Sequence, residues 1–221
     1  MRRLAALYVT LVAALTALPP AVPASAAPGP TVTVTVEQAV TSLPVAPEDR
    51  TGYDKTLFSH WTDEDQDGCD TRADVLIQEA TTPPDVDARC TAIVGGVWHS
   101  YFDKRDYTTA RSIDVTQLVP LAESWDSGAS RWSAEERQAY ANEMEDPRTL
   151  VAVAATEVRA RGDKDPAQWE PWDDSADCRY LAEWAVVKSR WGMSVDQAEL
   201  DALITMAAEC PTEQITYSRV R

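Results

Sequence analysis

The sequence predicts a single α+β domain, and three observations support this. Segments with strand character are few and lie in the first half of the chain, whereas segments with apolar residues at helical spacing dominate the second half. The 221 residues are enough for one domain, with or without tails. A hydrophobic content of 44%, with eight tryptophans, is ample for a packed core and argues against global disorder.

The chain is strongly acidic, with 36 Asp and Glu against 20 Lys and Arg and a formal net charge of −16. Binding of nucleic acid through a general electrostatic field depends on Lys and Arg that neutralise phosphates. A chain of this charge repels phosphates. The composition therefore excludes that mode of nucleic-acid binding, and leaves room only for a local basic patch.

The first 26 residues have the three parts of a secretory signal peptide. Residues 2–3 are arginines, residues 4–18 form an apolar run, and residues 24–26 read Ala-Ser-Ala, a small-residue cleavage site. The alternative is a membrane anchor, but an anchor needs about 20 apolar residues and Pro19 ends the run earlier. We therefore expect residues 1–26 to be removed on Sec-type export, which leaves a secreted chain without a membrane span.

The mature chain is expected to have a linker, a folded domain and a tail. Residues 27–47 are rich in Pro, Val and Thr and predict a flexible linker, with a short edge strand in its alternating Thr-Val run as the alternative. The folded domain is expected over residues 48–211, and residues 212–221 form the expected C-terminal tail.

In the first half of the domain we expect a helix, a hairpin and the end of a strand. The helix covers residues 71–80. The hairpin covers residues 91–101, where Gly95-Gly96 suits the positive φ angles of a tight turn. Residues 114–121 are rich in apolar and β-branched residues, and we expect them to form the end of a strand.

In the second half, the spacing of apolar residues predicts four helices. Ser133 and Ser194 each begin a capping box, and Gly162 and Gly192 each follow the last turn of a predicted helix. The four predicted helices cover residues 133–143, 149–161, 179–191 and 194–208.

Four cysteines in an exported chain predict two disulfides, for which three connectivities are possible. We expect local pairing, Cys69 with Cys90 and Cys178 with Cys210, because each pair links segments that are adjacent in the predicted order of elements. A zinc site is disfavoured, because no two cysteines have the C-x₂₋₄-C spacing of zinc ligands.

Residues 63–74 have the spacing of an EF-hand loop, with acids at positions 1, 3, 5 and 12 and glycine at position 6. Calcium needs six to eight oxygen ligands, and side chains at alternate loop positions converge on one point. A structural Ca²⁺ is therefore expected on four carboxylates: Asp63, Asp65, Asp67 and Asp74. The alternative is a solvated acidic turn in which Asp70 or Thr71 caps the following helix.

Several motifs occur together over residues 48–210. Among them are Gly95-Gly96-Val97-Trp98-His99, Val119-Pro120-Leu121-Ala122-Glu123 and Gly162-Asp163-Lys164-Asp165-Pro166. In combination they resemble the secreted HNH endonuclease family, whose domain also forms the C-terminal part of GmrSD-type restriction endonucleases. The resemblance implies a ββα-metal core, embedded in a mainly helical domain stapled by disulfides.

The resemblance also identifies the positions that would carry catalysis. In that family a metal-binding Asp and a general-base His end a strand, an Asn orients the His, and an Asn or His on a helix completes the metal site. The matching positions here hold Thr116, Gln117, Thr149 and Val158. Glutamine has no titratable group near neutral pH, threonine offers only a neutral hydroxyl, and valine offers no ligand. Catalytic Mg²⁺ or Mn²⁺ is therefore not expected.

Three cations near the end of the matching helix, Arg159, Arg161 and Lys164, are candidates for binding phosphate. The alternative is a solvated face, because cations are favoured near a helix C-terminus. The histidines His60 and His99 are expected to pack or to hydrogen-bond, and not to act as bases.

These observations predict a monomeric, secreted pseudoenzyme with an HNH endonuclease scaffold. Its expected role is that of an extracellular binding module, with a weakly bound nucleic acid or a protein as its partner. The alternative is an active nuclease that depends on a divalent metal and hydrolyses phosphodiester bonds with displaced ligands.

Overall fold

The computed structural model describes residues 29–90 and 93–220, and the expected signal peptide lies outside the described residues. The α-helices are α1 (Val36–Thr41), α2 (Thr71–Gln78), α3 (Leu121–Asp126), α4 (Ala134–Ala141), α5 (Ala155–Arg161), α6 (Asp177–Trp191) and α7 (Gln197–Glu209). The strands are β1 (Thr31–Thr35), β2 (Ala80–Thr82), β3 (Asp85–Val86), β4 (Ile93–Val94), β5 (Val97–Ser100), β6 (Arg105–Tyr107), β7 (Ile113–Gln117), β8 (Leu150–Ala154) and β9 (Gln214–Ser218). The protein is therefore of the α+β class.

The strands form small antiparallel sheets rather than one large one. Strand β1 pairs with β9, β3 pairs with β4, and β7 pairs with β8, while β5 lies between β2 and β6. The structure thus contains a β7–β8 pair followed at once by α5, which packs against both of these strands. Helices α3 and α4 are inserted between the two strands.

Strand β8 is buried on both faces. Leu150 and Ala152 face a cluster built around Trp98, whereas Val151 and Val153 face the main core. All five residues of β8 are therefore buried. The prediction of one helix over 149–161 was wrong in its first half, because a strand buried on both sides lacks the period-two alternation that would distinguish it from a helix.

The main core surrounds α6, in which every residue from Tyr180 to Trp191 is buried. Trp132, Tyr140 and Trp191 contact one another, with ring centroids 5.6, 5.3 and 5.2 Å apart. Aromatic contacts of this kind add to the free energy that the buried apolar area contributes. Helix α6 thus lies in the main core, where α1 and α7 pack against it.

The predicted linker and C-terminal tail are part of the fold, which corrects both boundaries. Strand β1 pairs with β9 over the full register from Thr31 opposite Ser218 to Thr35 opposite Gln214. Helix α1 follows and buries Val36 and Val40 in the main core. An alternating run is a strand only if it has a partner, and this partner lies near the other end of the chain.

Gly95 and Gly96 do not close the predicted hairpin. Strand β4 pairs with β3, and β5 pairs with β2 and β6, so the strands on the two sides of the glycines belong to different sheets. Gly96 has a φ of +81°, and a Cβ there would lie 2.9 Å from the Trp98 ring and 3.0 Å from Pro84. The glycine is required by this close approach as well as by its backbone angle.

Local capping signals define most helix starts. Asp70 caps α2, and its Oδ1 accepts a hydrogen bond from Ala73 N at 2.8 Å. Ser133 forms the predicted capping box at α4. Helix α7, however, starts after Asp196, because the Ser194 hydroxyl donates instead to the carbonyl of Ser127 at 3.1 Å.

Two disulfides join Cys69 to Cys90 and Cys178 to Cys210. This is the local pairing that the sequence predicts. The first links the residue before α2 to the loop after β3, and the second links the first turn of α6 to the end of α7. Cys210 is buried in the main core and Cys178 is partly buried against it, so the second disulfide adjoins the main core.

Candidate functional site

The candidate site is the end of β7, where the two positions that match a metal ligand and a general base lie side by side. Thr116 lies opposite Val151 in the strand pair, and Gln117 lies opposite Leu150. The side chain of Gln117 turns inward, and the residue is only 6% exposed. Its Nε2 donates a hydrogen bond to the Ala141 carbonyl at 2.8 Å. This amide therefore joins α4 to β7 and has no access to a substrate.

A buried arginine lies beside Thr116. Nη2 of Arg161 donates to Thr116 Oγ1 at 2.7 Å and to the Gln117 carbonyl at 3.0 Å, while Nη1 donates to the Leu118 carbonyl at 2.9 Å. The residue is 1% exposed, and it forms no ion pair with any carboxylate of the described chain. Burial lowers the pKa of Arg161, but a guanidinium stays charged in proteins. The end of β7 thus carries a built-in positive charge.

The burial of Arg161 corrects its expected part in a phosphate-binding patch. Nη1 and Nη2 of Arg161 donate to β7 and to the residue after it, and the residue is buried, so the guanidinium is not available to a ligand in solution. Arg159 and Lys164 are exposed, and Lys164 Nζ donates to the Ala160 carbonyl at 3.0 Å. Only two of the three candidate cations therefore face solvent.

The other two matching positions are also engaged in the protein interior. Thr149 is fully buried, and its hydroxyl donates to Glu143 Oε2 at 2.7 Å. Val158 is partly buried and packs against the main core. The structure therefore places all four residues in structural contacts.

The acidic loop brings its four predicted ligands close to one another. One carboxylate oxygen from each of Asp63, Asp65 and Asp67 lies within 4.8 Å of the others, and Asp67 and Asp74 satisfy the same limit. Burial, followed by the charge of Asp67, raises the pKa of Asp74. Asp70 caps α2, so the predicted alternative of a helix cap also holds, with a residue outside the four.

Two backbone N–H groups of the acidic loop donate hydrogen bonds to its carboxylates and so hold them on the inside of the turn. Gly68 N donates to Asp63 Oδ2 at 3.1 Å, and Cys69 N donates to Asp67 Oδ1 at 2.7 Å. Gly68 has a φ of +97°, the positive value that a sharp turn at this position needs. The residues present thus offer carboxylate oxygens, which are the ligand type that calcium prefers.

Sequence reasoning missed a second acidic cluster, formed by Glu48, Glu123 and Asp165. One carboxylate oxygen from each lies within 4.8 Å of the other two, and Glu123 and Asp165 are buried. Burial, then the charge of Glu123, raises the pKa of Glu48 to about 7. Lys188 reaches Glu123 from the interior, with Nζ 2.7 Å from Oε1. No local signal in the sequence connects these residues, because they come from three separate segments.

The two histidines take no part in either cluster. His60 Nδ1 lies 2.9 Å from the Phe58 carbonyl, and its ring contacts Trp61. His99 is exposed, and its Nδ1 lies 2.7 Å from Asp106 Oδ1. Both histidines have local partners, as expected.

A buried carboxyl group behind β8 makes the stability of the fold depend on pH. Glu79 Oε2 accepts a hydrogen bond from Ala152 N at 2.8 Å, and burial raises the pKa of Glu79 to about 7. Between about pH 4.5 and 7 the folded protein holds a proton that the unfolded chain has released. The free energy of unfolding therefore falls as pH rises through this window, by at most about 1.4 kcal/mol per pH unit for one group.

We expect Glu79→Gln to remove this contribution. The amide oxygen still accepts from Ala152 N, but it does not titrate. Urea unfolding at pH 5, 6, 7 and 8 measures the effect, and the variant should have a shallower slope than the wild type and a higher stability at pH 8. Identical slopes for the two proteins would exclude Glu79 as the titrating group.

The fold and its disulfides place the protein in the class of disulfide-linked α+β proteins. No helix in the described part of the chain is both long and apolar enough to cross a bilayer. No family model and no solved structure matches the chain. An "Uncharacterized secreted protein" of Arthroderma benhamiae is 33% identical over 204 residues, which are 92% of this chain and 98% of that protein. The chain belongs to the same family as that secreted protein.

Proposed function

We propose that the protein is a secreted, catalytically silent member of the HNH endonuclease fold family that acts as an extracellular binding module. The order β7, β8, α5, with both strands antiparallel and the helix packed on them, supports a ββα core. The resemblance of residues 48–210 to the secreted HNH endonucleases supports the same scaffold.

The observation that carries the proposal is the contact between Arg161 and Thr116. The hydroxyl at the position of the family's metal ligand accepts a hydrogen bond from a guanidinium at 2.7 Å. A divalent cation at the same oxygen would have to displace a buried positive charge or lie beside it, and both are unfavourable. The neighbouring Gln117 cannot accept the proton of an attacking water.

Displaced ligands for an active nuclease receive little support. Asp114 lies two residues before Thr116 on β7, and its carboxylate is 3.7 Å from Arg72. Glu157 precedes Val158 on α5, and burial raises the pKa of its carboxyl group. This geometry therefore favours a catalytically inactive centre over an active nuclease with displaced ligands.

Secretion is part of the proposal. The chain begins with a Sec-type signal peptide pattern over residues 1–26. The relative in Arthroderma benhamiae is described as secreted. Two disulfides fit an oxidising compartment. Western blotting of cell-free medium for the full-length chain, with a variant that lacks residues 2–18 as control, tests export.

Digestion of supercoiled plasmid tests the silent centre. We expect no cleavage by the wild type with Mg²⁺ or Mn²⁺. Nicking is expected when four changes are combined: Thr116→Asp, Gln117→His, Thr149→Asn and Val158→Asn. The four groups act as one unit, so the gain should be strongly non-additive, and Gln117→His alone should give none.

Arg161→Lys should increase nicking further when it is added to the four changes. A guanidinium would hold the new carboxylate at position 116 in a bidentate ion pair, which lysine cannot form. Cutting by the wild type that EDTA abolishes would contradict the silent centre. A five-residue variant that folds, by circular dichroism, but never nicks would contradict the HNH scaffold.

We also propose a structural Ca²⁺ in the acidic loop, held by Asp63, Asp65, Asp67 and Asp74. The four carboxylates and the turn at Gly68 support this role. The last proposed ligand, Asp74, lies on α2, and Cys69 within the loop is disulfide-bonded, so a bound ion would tie the loop, the helix and the disulfide together.

Calcium is expected to raise the melting temperature. An ion that binds only the folded state stabilises it by about 1.4 kcal/mol at ten times its dissociation constant. Loops of this kind in extracellular modules have dissociation constants of about 10⁻⁴–10⁻³ M. Thermal unfolding after EDTA treatment, with 10 mM CaCl₂ or MgCl₂, measures the shift. Asp67→Asn should abolish it and Asp201→Asn, on α7, should retain it; no shift in the wild type would rule out the site.

A further inference from the structure

A cleft of about 950 Å³ opens beside the acidic loop. Its walls come from the loop and the start of α2, from the end of α4, from the end of α6 and from the residues after β9. The lining includes four acids, one exposed arginine and two exposed apolar side chains: Glu64, Asp65, Asp74, Glu145, Arg219, Met144 and Val220. The volume is within the range of cavities that bind ligands in proteins.

The charge of the cleft is negative. Glu64 and Glu145 are exposed and lie outside the proposed calcium ligands, against one exposed cation, Arg219, and Asp65 and Asp74 add to the negative charge when the loop holds no ion. The second arginine of the lining, Arg190, is buried and paired with Glu143 and Asp146. It therefore does not neutralise the rim.

The cleft also offers apolar surface. Met144 is 37% exposed and Val220 is 43% exposed. Trp191 lies buried beneath them in the lining. Lysine and arginine have long aliphatic stems that pack on surfaces of this kind while their charged heads reach carboxylates.

We propose that this cleft binds an extended peptide segment of another protein that is rich in lysine and arginine. The inference rests on the proposed role as a binding module and names its partner. The rim carboxylates take the cationic heads, and Met144 and Val220 take the stems. A free metal ion would leave the apolar surface unused.

Two other occupants fit less well. Nucleic acid presents phosphates, which the rim carboxylates repel. A second copy of the chain has a net charge of −16 and would repel the first. The charge of the cleft thus favours a cationic peptide over both.

Fluorescence polarisation with a labelled octapeptide of alternating lysine and leucine tests the proposal. The full-length mature protein is used in EDTA at about 150 mM salt, so that screening limits long-range attraction. We expect saturable binding to the lysine peptide and none to the matched glutamate–leucine peptide. The double variant Glu64→Gln, Glu145→Gln should bind about tenfold more weakly, since each exposed charge contact contributes up to about 1 kcal/mol.

A matched control removes the same two charges elsewhere. Glu37 and Glu209 are exposed on α1 and α7 and do not line the cleft, and Glu37→Gln with Glu209→Gln should change affinity less than twofold. Equal losses in the two double variants would show attraction by net charge alone and would overturn the proposal. Absence of binding at this salt concentration, or tighter binding of a single-stranded oligonucleotide, would also overturn it. None of these results depends on the nuclease assay.

Discussion

Lys188→Met is expected to lower the free energy of unfolding by about 3–5 kcal/mol, which shifts the melting temperature by about 10 °C. Lys188 is completely buried. Its Nζ donates to Glu123 Oε1 at 2.7 Å, to Glu199 Oε2 at 2.8 Å and to two further oxygens. Burial alone would lower the pKa of Lys188, but the two carboxylates outweigh it and the pKa is raised. Methionine leaves both carboxylates buried without their cation.

The loss should shrink at low pH, because protonation neutralises the carboxylates that the variant leaves unpaired. Adding Glu123→Gln and Glu199→Gln to Lys188→Met should recover part of the stability at pH 7, since a neutral amide costs less to bury than a charge. Urea unfolding at pH 5 and pH 7 measures both effects. Lys55→Met is the matched control, because Lys55 is exposed, and its effect should be within about 0.5 kcal/mol. A similar small effect at position 188 would mean that the buried cation does not stabilise the fold.

Replacing Cys178 and Cys210 by serine is expected to cost on the order of 3–4 kcal/mol. The disulfide closes a loop with a sequence separation of 32, and the loop-entropy model gives a cost of this size. Cys210 lies in the main core and Cys178 packs against it, so the unlinked ends of α6 and α7 would also lose packing. Thermal and urea unfolding of the double-serine variant, with the other disulfide intact, measures the change.

The Cys69–Cys90 pair provides the comparison. Its separation is 21, so the same model predicts a nearly equal entropic cost. This disulfide lies beside the exposed acidic loop and outside the main core. Its removal should therefore cost less than removal of the Cys178–Cys210 disulfide. A larger loss for the Cys69–Cys90 variant would contradict this ranking.

Features that depend on residues close together along the chain could be predicted from the sequence. Caps at Asp70 and Ser133, the helix stop at Gly192 and the acidic loop spacing all follow from contacts within a few residues. Local pairing of the cysteines was predicted because each pair links segments that are adjacent in the order of elements. Net charge and the signal pattern are also properties of the chain alone. The negative net charge already excluded binding of nucleic acid through a general electrostatic field.

Features that join distant segments could be identified only from the folded structure. Strand β1 needed β9 as its partner, and β8 was mistaken for a helix because both of its faces are buried. The same holds for Arg161, which counts as a surface cation in the sequence but lies in the interior beside Thr116. In each case the deciding free energy comes from burial and long-range hydrogen bonds, and neither leaves a signal in the residues next to it along the chain.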